Sequence, residues 1–172
     1  MGADTRERGD AAVARLDIER AYRQYHHSVL RRATQLLGSD PSAREVVQEV
    51  FVSLIRDPAQ FRGASSIATW LYSATTHLCL KRIRDRDNRA RLLAEHVAPA
   101  QAYAVAAPME DQAAARQLLA RLPEKLARVA VYAYFDGLTH DEIADILGCS
   151  RRYVGKLLAR VAELSGAAEA AE

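Results

Sequence analysis

Hydrophobic side chains recur along most of the chain at intervals of three and four residues, the spacing that places them on one face of an α-helix. The first such stretch runs from Val13 to Leu37 and is expected to end at Gly38. A second begins after Asp40, its expected N-cap, with Pro41 at the first helical position. It stops before an Asp-Pro pair. The positions expected to be buried in this helix are Val46, Val47, Val50, Phe51, Leu54 and Ile55.

The turn-forming stretch FRGASS, residues 61–66, separates the second helix from a third, predicted over Ile67 to Arg86. Gly63 permits a tight bend. Either Ser65 or Ser66 can cap the following helix. The positions expected to face inward in the third helix are Ile67, Trp70, Leu71, Ala74, Leu78 and Ile83.

The helical pattern breaks down beyond Arg89, where Pro99 and Pro108 interrupt an alanine-rich segment. We predict a flexible linker over residues 92–111, between a first helical domain at 13–91 and a second at 112–165. Two helices are expected early in the second domain, one ending at Leu122 and one over Glu124 to Phe135. The first twelve residues and the tail SGAAEAAE are polar and are expected to fray.

The stretch from Thr139 to Arg160 has the pattern of two short helices joined by a tight turn. Thr139 and Glu142 predict a capping box at the start of the first helix. Gly148 is expected to end that helix, and Ser150 to cap the second. The second helix places Val154, Leu157, Leu158 and Val161 inward and leaves basic side chains towards solvent. This pattern is typical of a helix-turn-helix, whose second helix enters the major groove of DNA. A helical hairpin with a solvated basic face is the alternative interpretation.

Composition supports helices throughout. The 172 residues are 49% hydrophobic and 27% charged, with eight glycines and five prolines, as in a soluble globular protein. We therefore predict an all-α fold of two small helical domains, the second ending in the helix-turn-helix. No apolar run approaches the roughly 20 residues that span a bilayer, and the N-terminus lacks the hydrophobic core of a signal peptide. A cytoplasmic protein without membrane insertion is expected.

The net charge of +2 conceals an uneven distribution. Residues 1–91 hold 16 basic and 11 acidic side chains, whereas residues 92–172 hold 8 and 11. The basic residues concentrate between Lys81 and Arg91 and again between Arg151 and Arg160. Cations near a helix C-terminus favour the helix dipole, which accounts for one or two members of the first group. The remainder indicates two separate contacts with a polyanion.

Few residues suggest catalysis or metal binding. Cys79 and Cys149 have no neighbours at metal-ligand spacing and are expected to be small, reduced core residues. His77 and Cys79 are two positions apart on a helix, so their side chains do not face each other. We therefore predict no catalytic residue, no metal and no cofactor.

Several blocks of sequence, in this order, resemble the extracytoplasmic-function group of bacterial RNA polymerase sigma factors. They are AREVVQEVFVSL (43–54), FRGASS (61–66), TWLYSATTHLCLKRIRDR (69–86) and LPEKLARVAVYAYFDGLTHDEIADILGCS (122–150). The resemblance covers nearly the whole chain. It implies a promoter-specificity subunit that binds core RNA polymerase and promoter DNA to direct transcription initiation, as expected for genes that respond to stress or other signals. The family commonly works with an anti-sigma factor, so such a partner is also implied.

The resemblance also implies roles for individual residues. A surface around Glu45, Gln48 and Glu49 would dock on the clamp helices of the largest polymerase subunit. The FRGASS loop and the start of the next helix would melt the −10 promoter region and hold a base flipped from the stack. The basic run would hold phosphates, and the helix-turn-helix would contact the −35 element. The residues implied to bind DNA are Arg62, Ser65, Ser66, Thr69, Tyr72, His77, Lys81, Arg82, Arg84, Arg151, Arg152, Tyr153, Lys156 and Arg160.

The chain departs from the family pattern at several positions. His77 stands where Asn is common, Leu157 where a basic residue is usual, and Gly155 where Lys is common. Gly155 is interpreted as a position where the second helix comes close to the DNA backbone. His77 either contacts a base or belongs to the core. The linker also has few acidic residues. A stand-alone helix-turn-helix regulator is the alternative function; it would bind a palindromic duplex tightly without polymerase.

Overall fold

The computed structural model describes residues 17–96 and 110–169, which form seven α-helices and no strand. The prediction of an all-α fold is therefore confirmed. The chain divides into two compact units, Met1–Cys79 and Leu80–Glu172, and the division falls within the third helix. The limits of the two domains remain predictions, and residues 97–109 of the predicted linker lie outside the described residues. None of the described helices is long and apolar enough to cross a membrane.

The first unit begins with helices α1, Ile18–Leu37, and α2, Asp40–Arg56, which pack against each other. Asp17 caps α1 by accepting a hydrogen bond from the amide of Arg20 at 2.9 Å. The helix ends at Gly38, whose φ of 66° is left-handed, as predicted. Residues 13–16 of the predicted first helix lie outside the described residues.

The start of α2 differs from the prediction by one residue. Ser39 occupies the N-cap position, and Asp40 is the first helical residue. The carboxylate of Asp40 instead accepts a hydrogen bond from the Thr34 hydroxyl at 3.3 Å. Five of the six positions expected to be buried are buried, namely Val46, Val47, Val50, Phe51 and Leu54. The sixth prediction is wrong, because Ile55 lies in the last turn of the helix with 61% of its surface exposed.

A 3₁₀ turn, Pro58–Gln60, and a loop bent at Gly63 (φ 67°) lead into α3, Ile67–His96. Ser66 is the serine that caps α3, since its hydroxyl accepts a hydrogen bond from the amide of Thr69 at 3.1 Å. The predicted end of this helix at Arg86 is wrong. The helix continues for ten more residues through a segment of good helix formers, mainly alanine, leucine and arginine.

The buried face of α3 is also different from the prediction. Leu71 and Ile83 are buried as expected, but Ile67, Trp70, Ala74 and Leu78 are only half-buried. The other buried positions are Thr75, Thr76, Cys79 and Leu80. The two threonines can be buried because each hydroxyl donates to the carbonyl four residues earlier, at 2.6 and 2.8 Å.

The second unit contains four further helices. They are α4, Glu110–Arg121; α5, Glu124–Ala130; α6, His140–Leu147; and α7, Arg151–Glu169. A π-helical turn, Val131–Phe135, extends α5 over the predicted range. It turns Tyr132 into the core and leaves Tyr134 and Phe135 exposed. The tail that we expected to fray from Ser165 is helical as far as Glu169. Residues 170–172, and the first twelve residues, lie outside the described residues.

Helices α5 and α6 both pack against α7. Their contact forms the core of the second unit, with buried side chains from all three helices: Leu126, Val129, Tyr132, Ile143, Val154, Leu157 and Val161. Neither cysteine forms a disulfide; Cys79 is buried, as expected of a core residue, whereas Cys149 is half-buried.

Candidate functional site

The predicted polymerase-binding residues lie on the exposed side of α2. Glu45, Gln48 and Glu49 are exposed, while the intervening Val46 and Val47 are buried. This arrangement follows from the helical repeat, because residues three and four positions apart share a face. The acidic and amide groups therefore form one polar surface that a partner could approach without disturbing the core.

A groove of about 770 Å³ lies beside this surface, between α1 and α2. Its walls are mainly apolar, and Gln48 lies on its border. Tyr22 is 45% exposed and packs edge-on against Phe51, with 4.9 Å between ring centroids. The exposed Ile55 lines the same groove. The hydrophobic pattern predicted Ile55 to be buried, so this apolar surface was not expected from the sequence.

The residues predicted to melt the −10 region lie in and just after the loop at 61–66. Arg62, Ser65 and Ser66 are exposed, and Thr69 is half-buried. The hydroxyls of Ser66 and Thr69 are 2.9 Å apart and share a hydrogen bond. The left-handed Gly63 gives this loop its bend, so small polar groups stand at the surface ahead of α3.

Tyr72, another predicted DNA-binding residue, contacts an arginine that sequence analysis did not single out. Arg32 of α1 is buried, and its guanidinium carbon lies 4.0 Å from the centroid of the Tyr72 ring. Its Nε and Nη2 atoms both donate to the Thr76 hydroxyl at 3.1 Å. Tyr72 itself is half-buried. No apolar periodicity could reveal Arg32, since the residue is charged.

His77 and Trp70 occupy intermediate positions on α3. Both are half-buried. Trp70 is therefore more accessible than the core position we expected. The alternative roles of His77, contact with a base or membership of the core, both remain open at this degree of burial.

The basic run on α3 contains residues of two kinds. Arg82 and Arg84 are half-buried, and the Nη2 atom of Arg84 is fully buried. The exposed members are Lys81, Arg86, Arg89 and Arg91. Arg91 forms an ion pair with Asp87 at 3.4 Å. The exposed residues are consequently better placed for phosphate contacts than Arg82 and Arg84.

The predicted helix-turn-helix is present. The Thr139 hydroxyl accepts a hydrogen bond from the Glu142 amide at 3.3 Å, and the Glu142 carboxylate accepts one from the Thr139 amide at 2.8 Å. Gly148 ends α6 with a φ of 62°. Ser150 then caps α7 by accepting a hydrogen bond from the Tyr153 amide at 3.2 Å. These local contacts fix the start of the second helix relative to the first.

Helix α7 presents the predicted DNA-binding residues to solvent. All five are exposed: Arg151, Arg152, Tyr153, Lys156 and Arg160. Arg151 pairs with Asp141 at 3.7 Å and Arg160 with Glu163 at 2.6 Å, between side chains that are more than half exposed. Exposed pairs of this kind contribute at most about 1 kcal/mol and can be exchanged for phosphate contacts. Leu157 belongs to the core, which explains the absence of a basic residue at this position.

The described residues offer no metal centre, because no group of three or more His, Cys, Asp or Glu side chains within 17–96 and 110–169 could hold an ion. The surfaces above comprise polar, basic and apolar side chains.

Comparison with known proteins identifies two regions of the chain. Residues 21–89 match the family model for sigma-70 region 2, and residues 112–163 match that for sigma-70 region 4. The chain is 31% identical over 153 residues to the RNA polymerase sigma factor YlaC of Bacillus subtilis, covering 83% of this chain and 86% of that protein. It is 25% identical to the ECF RNA polymerase sigma factor SigW of the same organism, covering 72% and 73%.

A solved structure has a similar fold. It is the sigma factor RpoE from Bartonella quintana in complex with the anti-sigma factor NepR, with a TM-score of 0.50 and 16% identity, covering 86% of this chain and 93% of that one. The likeness supports the all-α architecture. The two matched regions and the relatives above lead to one conclusion: the chain belongs to the sigma-70 family of RNA polymerase sigma factors, within its extracytoplasmic-function group.

Proposed function

We propose that this sigma factor binds core RNA polymerase through the exposed face of α2, opens the −10 region with the 61–66 loop and α3, and recognises the −35 element with α7. The observation that carries the proposal is the exposed face of α2, where Glu45, Gln48 and Glu49 stand together beside the exposed Ile55. A polar surface bordering an apolar one is typical of a protein interface.

The two contacts with DNA have different chemistry. Exposed Lys81 and its basic neighbours on α3 would hold phosphates, while small hydroxyls in the 61–66 loop would donate to phosphate or base edges. On α7, Arg151, Arg152, Tyr153, Lys156 and Arg160 would enter the major groove, N-terminus first. Phosphate contacts supply affinity, and base contacts supply the choice of promoter.

Sigma factors act without catalytic chemistry of their own, and the chain belongs to that class of regulators. We place it in the cytoplasm, where polymerase and promoters are found. The similar RpoE structure is a complex with the anti-sigma factor NepR. We propose that an inhibitor of this class controls the present chain too, so that its promoters respond to stress or another signal.

Run-off transcription with cognate core polymerase and a genomic promoter library tests the main proposal. We expect transcripts from a small set of promoters only when core enzyme and the chain are both present. Transcripts no more abundant than with core alone would contradict the proposal. Tight binding of the isolated chain to a palindromic duplex would instead support the stand-alone regulator.

Charge reversal tests the division between the surfaces. Lys81→Glu changes an exposed side chain, so it should impair promoter opening while leaving core binding intact. The half-buried Arg82 and Arg84 are less suitable, because reversing them also disturbs folding. Reversal of Glu45 and Glu49 to Lys should have the opposite effect and weaken core binding. If Lys81→Glu weakens core binding instead, the two surfaces have been assigned wrongly.

His77→Asn tests the position at which the chain departs from its family. If His77 contacts a base, Asn should preserve promoter opening, since it can also form hydrogen bonds to base edges. If His77 serves the core, the substitution should lower the melting temperature without a specific effect on opening.

A further inference from the structure

Arg32 lies in an unusual environment for an arginine. It is 7% exposed, and its guanidinium covers the ring of Tyr72 on the neighbouring helix α3. Two of its nitrogens donate to the Thr76 hydroxyl, both at 3.1 Å, and that hydroxyl donates to the Tyr72 carbonyl oxygen at 2.8 Å. A hydroxyl has one donor and two acceptor sites. All three sites of the Thr76 hydroxyl are therefore occupied, and its orientation is fixed.

These contacts hold Tyr72 at two points. The guanidinium lies over the aromatic ring, where the attraction between a cation and the ring electrons is strongest for a desolvated pair. Through Thr76, the same guanidinium also supports the backbone carbonyl of Tyr72. Arg32 thus determines both the place of this turn of α3 relative to α1 and the direction of the tyrosine ring.

The burial of Arg32 argues against a role in packing alone. Removing a guanidinium from water costs free energy, whereas leucine or methionine would fill a similar volume at lower cost. Arg32 also differs from its neighbour Arg31, which is exposed on the same helix. Because Arg32 is buried, it is poorly placed to contact a phosphate directly. Tyr72, whose ring Arg32 covers, is the predicted DNA-binding residue through which Arg32 can act.

We propose that Arg32 is a positioning residue for promoter opening, which holds Tyr72 ready to contact the separated DNA strand. This inference rests on the proposed function. Bases of a single strand stack on aromatic side chains without regard to sequence. Tyr72 is half-buried, so part of its side chain stays accessible to a base while Arg32 covers one face of the ring. A ring held in this way need not be ordered when the strand arrives.

The experiment uses holoenzyme assembled from the full chain and cognate core polymerase, with a promoter that carries a fluorescent base analogue in its −10 region. Core affinity, duplex affinity and the rate of strand opening are measured separately. The variants are Arg32→Met, which keeps the volume but removes the cation, Tyr72→Leu, which removes the ring, and the double variant. Arg31→Met is the matched control, since it removes an exposed arginine from the adjacent position.

We expect Arg32→Met and Tyr72→Leu each to slow strand opening about tenfold, the effect of losing most of one base-stacking contact. Core and duplex affinities should stay unchanged. The double variant should be no slower than Tyr72→Leu, because Arg32 acts through the ring. Arg31→Met should open DNA at the normal rate.

Two results would overturn the inference. One is normal opening by folded Arg32→Met, and the other is an additional loss when Arg32→Met is combined with Tyr72→Leu. If Arg32→Met does not fold, Arg32→Lys takes its place, since lysine keeps the cation over the ring but lacks the planar fork. If Arg32→Lys opens DNA more slowly but causes no additional loss of opening rate when combined with Tyr72→Leu, the role is supported. An additional loss in that double variant would refute it. An unaltered chain that opens no promoter with core polymerase would refute the proposed function itself.

Discussion

The ammonium group of Lys125, on α5, lies 4.8 Å from the centroid of the Tyr153 ring, in the first turn of α7. Both side chains are exposed. The contact links the helix that supports the helix-turn-helix to the end of α7 that would enter the major groove. The family resemblance implies a −35 contact for Tyr153, but no pattern in the sequence indicates its partner Lys125. If Tyr153 contacts the −35 element as proposed, Lys125 would influence promoter recognition through the position of Tyr153.

Lys125→Met should weaken promoter binding by the holoenzyme. An exposed cation–π contact contributes about 0.5–1 kcal/mol, equivalent to a loss of roughly two- to fivefold. Lys125→Arg should bind normally, because arginine keeps the cation over the ring. Affinity should be measured at several salt concentrations, with Arg121→Met as a control that removes another exposed charge. If the slope of log affinity against log salt concentration is smaller in magnitude by about one for Lys125→Met than for the unaltered chain, Lys125 contacts a phosphate instead.

Gly155→Ala should separate the stability of α7 from its binding to DNA. A Cβ atom at this position would meet nothing within 4 Å in the free protein. Alanine should therefore raise the free energy of unfolding by about 1 kcal/mol, because glycine is a poor helix former. If Gly155 lies close to the DNA backbone, the same substitution should weaken binding to promoters with a −35 element. Thermal melting and promoter affinity measure the two effects.

Replacing Gly148 by alanine should have the opposite effect on stability from replacing Gly155. The φ of Gly148, 62°, is unfavourable for any residue with a Cβ atom, although the space around it is equally open. Gly148→Ala should therefore lower the free energy of unfolding by about 1–2 kcal/mol. A stabilised Gly155→Ala variant that binds the promoter normally would contradict our interpretation of Gly155 as a close approach to DNA.

The parts of the fold that the sequence predicted well depend on contacts within a few residues. The capping box of Thr139 and Glu142, the left-handed Gly148 and the cap at Ser150 all join residues at most three or four positions apart. Such signals are complete in the local sequence, so the boundaries of the helix-turn-helix could be predicted. The same is true of Gly38 at the end of α1.

The features that the sequence did not predict depend on partners far along the chain. The buried face of α3 contains Thr75 and Thr76, which a pattern based on apolar residues excludes. Besides donating to the Tyr72 carbonyl, the buried Thr76 hydroxyl accepts a hydrogen bond from Arg32, 44 positions away. Ile55 differs from the prediction in the opposite way. It is apolar and has the helical spacing of the buried residues, yet it lies exposed at the end of its helix. Periodicity gives the type of structure, but it cannot tell which face will find a partner.

Ile55→Ser should weaken binding to core polymerase while leaving the fold intact. Because the side chain is 61% exposed, we expect the free energy of unfolding to change by less than about 0.5 kcal/mol. If Ile55 is an apolar anchor beside Gln48, core affinity should fall about tenfold. Leu92→Ser, at a leucine with 58% exposure on α3, is the matched control and should bind core normally. Equal affinities of Ile55→Ser and Leu92→Ser for core polymerase would show that Ile55 does not belong to the polymerase-binding surface.

Glu142 should make the stability of the helix-turn-helix depend on pH in acid. The pKa of its carboxyl group is lowered from the usual 4.5, first by the hydrogen bond from the Thr139 amide and then by that from the Thr139 hydroxyl, against a small opposing effect of desolvation. The folded chain therefore favours the ionised form more than the unfolded chain does. Its stabilising effect is complete above about pH 4.5 and is lost as the pH falls through the lower pKa of the folded state.

Melting curves of the unaltered chain and of Glu142→Ala between neutral pH and about pH 3 test this expectation. The variant should melt at a lower temperature near neutrality, and the difference should shrink as the pH falls below the usual pKa of glutamate. Asp145→Ala is the control, since it removes an exposed carboxylate from the same helix at a position outside the capping box. A difference between Glu142→Ala and the unaltered chain that stays constant down to the acid limit would show that the ionised carboxylate does not stabilise the start of α6.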